Sequence, residues 1–119
     1  MKKKHIDAEI GFSDAEVDTY TKEGDILSVR VLAWNQSHIT VVFKNVIRVL
    51  DNDANSISAF CQIIDSSEFL NAALNRLYED AIPSDHLYVH YQFLDEDDLP
   101  ALEVVSEHME ISYSGDQVT

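Results

Sequence analysis

The side chains that could do chemistry are five histidines, one cysteine and a run of four acids. His86 and His90 stand four residues apart, the spacing that puts two zinc ligands on one helical face. The surrounding LYVHYQFL alternates like a strand, however, and four residues of strand separate two rings by about 13 Å, too far for one ion. His90 and His108 could meet across neighbouring strands with Glu107 or Glu110 beside them, the arrangement a small metal-dependent or hydrolytic enzyme would use. Asp51, Asp53 and Asn55 alternate as the first ligands of an EF-hand loop do, but Ser56 replaces the sharp-turn glycine and Gln62 the bidentate glutamate. Asp and Asn form turns without any ion. Asp95, Glu96, Asp97 and Asp98 carry the densest charge, and ahead of Leu99 and Pro100 they read as a solvated turn suited to steering a partner. Cys61 lies in the apolar run ISAFCQII, where a thiol is packing rather than a nucleophile. No G-x-S-x-G elbow is present, and the three glycines build no phosphate cradle. The sequence therefore assigns no catalytic residue, no metal and no cofactor.

The elements that must position these groups are mostly strands. From Asp25 to Leu50, DILSVRVLAW, a polar NQSH and ITVVFKNVIRVL read as two long strands closed by a short turn. Leu27, Val29, Val31 and Ala33 share a core face, and in the return strand Ile39, Val41 and Phe43 alternate with Thr40, Val42 and Lys44. After Asn45 the alternation slips to Val46, Ile47, Val49 and Leu50, as a bulge would make it. His5 to Phe12 alternates as a first strand and AEVDTYTK as a second, so the first four strands should form a meander. ISAFCQII reads as a buried fifth strand. One helix is expected from Ser66 to Ala81, with Asp65 and Glu68 as a capping box and Phe69, Leu74 and Leu77 on its buried stripe. LYVHYQFL follows as a strand with Leu87, Val89, Tyr91 and Phe93 on one side and Tyr88, His90, Gln92 and Leu94 on the other. ALEVVSEHMEISY closes the chain with a second phase slip near Val105 or Ser106, again of the kind a bulge makes. The expected fold is α+β: a single antiparallel sheet, strongly curved or barrel-like, with one amphipathic helix packed on it. Residues 1–119 form one domain in this reading, with residues 114–119 a frayed tail.

Composition narrows the function classes. With 8 basic and 22 acidic residues the formal charge is −14, which repels nucleic acid and anionic membranes and favours a basic protein partner. No apolar run approaches the length of about 18 residues a membrane helix needs. The basic start MKKK leads into the polar HIDAEIGF, which is no signal peptide, and a lone cysteine asks for no oxidising compartment, so a cytoplasmic protein is expected. Trp34, at a strand end beside Asn35 and Gln36, is the candidate anchor for a partner, together with Tyr88 and Tyr91.

The run SHITVVFKNVIRVLD, the capped helix and LYVHYQFLDEDDLPALEVV resemble, in layout, small bacterial proteins of unassigned function, some of them immunity proteins of toxin systems. The resemblance implies a non-catalytic acidic interaction module binding a basic partner. Two other readings stand beside it: the small enzyme built on His90, His108 and nearby acids, and a homo-oligomeric structural domain joined through exposed strands.

Overall fold

A computed structural model describes residues 2–114 of the chain. The chain is mostly β with one helix, and its strands divide between two antiparallel sheets rather than forming the single sheet expected from the sequence. In chain order the elements are β1 (Lys3–His5), β2 (Ala15–Glu23), β3 (Ile26–Leu32), β4 (His38–Lys44), β5 (Arg48–Asp51), β6 (Ser56–Ile57), β7 (Ala59–Ile63), α1 (Glu68–Leu77), β8 (Val89–Leu94), β9 (Pro100–Ser106) and β10 (His108–Ser114). One sheet has the order β1-β7-β8-β9-β5 and the other β10-β4-β3-β2-β6.

The expected β3–β4 hairpin forms, and its register sets Leu27 opposite Phe43, Val29 opposite Val41 and Val31 opposite Ile39. All six side chains are buried. They pack face to face on Phe60, Tyr91, Phe93, Leu102 and Val104 of the other sheet, so one apolar cluster spans both. Phe43 meets Phe93 edge-on at 6.2 Å between ring centroids, and Phe60 stacks on Phe93 at 4.4 Å. Such geometries suit the ring quadrupoles.

Both expected bulges are sheet crossings. At Asn45 the backbone turns left-handed (φ 57°), and the next strand, β5, pairs with β9 in the opposite sheet. Asparagine tolerates that conformation better than most side chains. The chain crosses back after β9, where Glu107 separates it from β10, which runs beside β4. The two crossings are tied together, because Asn45 Nδ2 donates to Glu107 Oε1 at 2.7 Å and Ile47 N–H donates to Val105 O. A change of sheet shifts which side chains face the core just as a bulge would, which is why the sequence pattern could not tell them apart.

Other boundaries also move. The expected strand from His5 to Phe12 is a strand only at Lys3–His5; beyond it the chain loops through Gly11 (φ 90°) and drops Phe12 into the core. The buried fifth strand is split: Ser56–Ile57 pairs with β2 in one sheet and Ala59–Ile63 with β8 in the other. The helix runs from Glu68 to Leu77 instead of Ser66 to Ala81, and its cap is Ser67, whose Oγ accepts the Leu70 N–H. Asp65 is engaged elsewhere, accepting the Lys2 N–H. Of the three residues expected on the buried stripe, Leu74 is buried, Phe69 is half-buried and Leu77 is 44% exposed. Within the expected tail, Ser114 closes β10, and the remainder lies outside the described residues. No helix among the described residues is long and apolar enough to cross a membrane.

Candidate functional sites

Two regions gather polar chemistry, one at the surface and one buried. The first is the turn that closes the β3–β4 hairpin. Ala33 N–H donates to Ser37 O to close the turn, Gln36 takes a positive φ of 70°, and Trp34 is carried outward. Trp34 stays 62% exposed, more than a tryptophan that closes a core would be. Its indole sits near the Ile10 carbonyl, which fixes one edge of the ring. Beside it runs a groove of about 260 Å³ whose lining includes Asp14, Glu16 and Glu96 and no lysine or arginine. Glu96 comes from the turn between β8 and β9, so the fold brings two of the expected binding residues, Trp34 and Glu96, to one place.

The other expected binding residues are not part of that groove. Asp95 shapes its own turn: its Oδ1 accepts the N–H groups of Asp97 and Leu99, and Asp98 adopts a positive φ of 60°. Asp97 and Asp98 are exposed around it. Tyr91 is a core residue rather than a surface anchor, 6% exposed, 5.3 Å from Phe43 and 5.9 Å from Phe60 between ring centroids. Burial pushes its hydroxyl pKa up. Tyr88 is half-buried beside His86, and burial raises its pKa as well.

The second region lies under the helix, on the face of the β8–β9 pair that points away from the aromatic core. Ser67 Oγ is 2.9 Å from His90 Nδ1, and His90 Nε2 is 2.8 Å from Glu103 Oε1. Gln92 Nε2 donates to the same Glu103 oxygen at 2.8 Å. All four residues are buried. Burial alone would raise the Glu103 pKa, but hydrogen bonds from His90 and Gln92, with attraction from His90 and Arg48, outweigh it and hold the carboxyl below the usual carboxylate range. The Phe69 ring stacks on the His90 imidazole at 4.7 Å, and the Arg48 guanidinium lies 4.0 Å over the same ring while donating to the Phe69 carbonyl. Gln92 Oε1 is buried without a hydrogen-bond partner among the described residues, since its amide must point its N–H at the carboxylate.

His90 therefore finds its partners in Ser67 and Glu103, while His108 stands in β10 of the other sheet. Sequence reasoning missed Ser67 and Glu103. The strand alternation did place His90 and Gln92 together on one face of β8; what it lacked was the register that sets Gln92 opposite Glu103. In the Asp51 loop, Asp51 accepts the Ala54 N–H and the Tyr20 hydroxyl, and these bonds hold its carboxyl below the usual range. Among the described residues no three His, Cys, Asp or Glu side chains are grouped as metal ligands.

No family model, curated protein or solved structure matches the chain. Among the described residues the fold is two packed antiparallel sheets with one helix over an outer face.

Proposed function

We propose that this protein is an acidic interaction module that takes up a basic protein surface, with the groove at Trp34 as its point of contact. The observation that carries the reading is an exposed indole standing beside three carboxylates, Asp14, Glu16 and Glu96, in one groove. A lysine or arginine laid there gains a ring face and charge partners together. The formal charge of −14 steers such a partner in from a distance and repels acidic ones. The free, buried thiol of Cys61 fits a reducing, cytoplasmic setting. Toxin immunity in bacteria, with a basic toxin domain as the partner, is the concrete form that the resemblance in layout implies.

Trp34 is the only tryptophan in the chain, so its fluorescence reports this groove directly. Titration with an arginine- and lysine-rich peptide should shift the emission saturably, and added salt should weaken the effect. Replacing Asp14, Glu16 and Glu96 together by their amides should reduce the affinity at least about tenfold. An emission blind to the basic peptide, or equally responsive to an acidic one, would remove the reading.

A further inference from the structure

The Ser67–His90–Glu103 chain lies outside the Trp34 groove, and it borders a cavity of its own. That cavity measures about 390 Å³ and is lined by Ser66, Ser67, Glu68, Phe69, His90 and Glu103. The size lies within the range of small-molecule sites. From these contacts we infer that Ser67 is an acyl-transfer nucleophile acting on a small, uncharged or cationic ester.

The hydrogen-bond directions supply the argument. The Leu70 N–H already donates to Ser67 Oγ, so the hydroxyl proton is free to point at His90 Nδ1, 2.9 Å away. The imidazole then carries its proton on Nε2 and donates it to Glu103 Oε1 at 2.8 Å. Nucleophile, base and orienting carboxylate thus stand in the order and protonation state that activation of a hydroxyl requires. The stacked Phe69 ring and the Glu103 carboxylate together fix the imidazole plane.

Ser67 also caps a helix of ten residues, which places its oxygen at the positive end of the helix dipole. In the first turn, the Leu70 N–H goes to Ser67 Oγ and the Asn71 N–H to Ser67 O. The amides of Glu68 and Phe69 have no acceptor among the described residues. They are the donors available to an oxyanion formed beside Ser67. The carboxylates of Glu68 and Glu103 at the cavity wall disfavour an anionic substrate, and the Phe69 ring offers an apolar surface to a short acyl chain.

In the reaction, Ser67 Oγ bonds to the ester carbonyl carbon while its proton passes to His90 Nδ1. The tetrahedral oxyanion collapses, the carbon–oxygen bond to the alcohol breaks, and the leaving alkoxide takes the proton from His90. Water then attacks the acyl-Ser67, giving its proton to His90, which returns it to Ser67 Oγ as the acid departs. The sum is ester and water to acid and alcohol, with no redox change. Glu103 is a positioning residue, since it acts only through the imidazole.

The test uses the whole chain, a fluorophosphonate probe and a p-nitrophenyl ester of a short acid. Peptide mapping should find the phosphonyl adduct on Ser67, and the ester should be hydrolysed with a burst of nitrophenol. Ser67→Asn keeps a capping oxygen but no nucleophile, so it should fold, lose the adduct and lose at least about 100-fold in turnover. Glu103→Gln should lower kcat by about 100-fold or more with KM little changed, a split that a purely structural role would not produce. A wild-type chain with no adduct on Ser67, or turnover unaltered in Ser67→Asn, overturns the proposal and leaves the three residues as a polar tie between helix and sheet. Neither result bears on the Trp34 groove.

Discussion

The two faces of the β8–β9 pair, at the centre of the sheet built from β1, β7, β8, β9 and β5, are both buried, yet the inner one is apolar and the outer one mixes apolar side chains such as Leu94 and Val105 with polar ones. The inner face presents Phe60, Tyr91, Phe93, Leu102 and Val104 to the partner sheet, and apart from the Tyr91 hydroxyl these side chains carry no polar atom. The outer face presents His90, Gln92 and Glu103 beneath Ser67 and the helix, where each polar atom removed from water needs a partner. Inner-face stability scales with buried apolar area and tolerates exchange of similar volumes. Outer-face stability depends in addition on a chain of directed bonds, in which loss of one member strands the others. A sheet can thus carry bulk cohesion on one side and a specific, hydrogen-bonded arrangement on the other.

The largest effect should come from the inner face. Phe93→Ala removes a fully buried ring that contacts Phe12, Phe43 and Phe60, and should cost about 3 to 5 kcal/mol in denaturant-induced unfolding. Leu74→Ala, which takes away the helix's most buried large side chain, should cost about 2 to 5 kcal/mol by the same measurement. A wild-type midpoint for that variant would mean that the helix does not seal the outer face.

Glu103→Ala should cost about 1 to 3 kcal/mol at neutral pH, because His90 Nε2 and the Gln92 amide lose their common acceptor. The pH dependence separates this from simple packing loss. Since the folded-state pKa of Glu103 is held down, its ionised carboxylate contributes stability above the unfolded value of about 4.3, and that contribution disappears as pH falls through the folded value. The difference between wild type and variant should therefore shrink on acidification below about pH 4. A gap constant from pH 7 to acid would assign the loss to packing and erase the contrast between the faces. The smallest effect should be at Trp34: Trp34→Ala in the hairpin turn should change unfolding free energy by no more than about 0.5 kcal/mol while weakening the binding of a basic peptide as followed by calorimetry.

Period-two alternation, read from the sequence alone, determined the β3–β4 hairpin and the buried face of its first strand, Leu27, Val29, Val31 and Ala33. It also determined that Tyr91 and Phe93 share one side of β8 and His90 and Gln92 the other. Composition determined the net charge of −14. Tertiary structure decided the rest. Alternation records which side chains share a face but not which sheet a strand joins, so the breaks at Asn45 and Glu107 could not be recognised as crossings until β5 and β10 had partners. A polar face looks the same in sequence whether water or a helix covers it. Ser67, His90 and Glu103 are separated by 23 and 13 positions along the chain, and only the docking of the helix and the pairing of β8 with β9 bring their atoms within hydrogen-bonding distance.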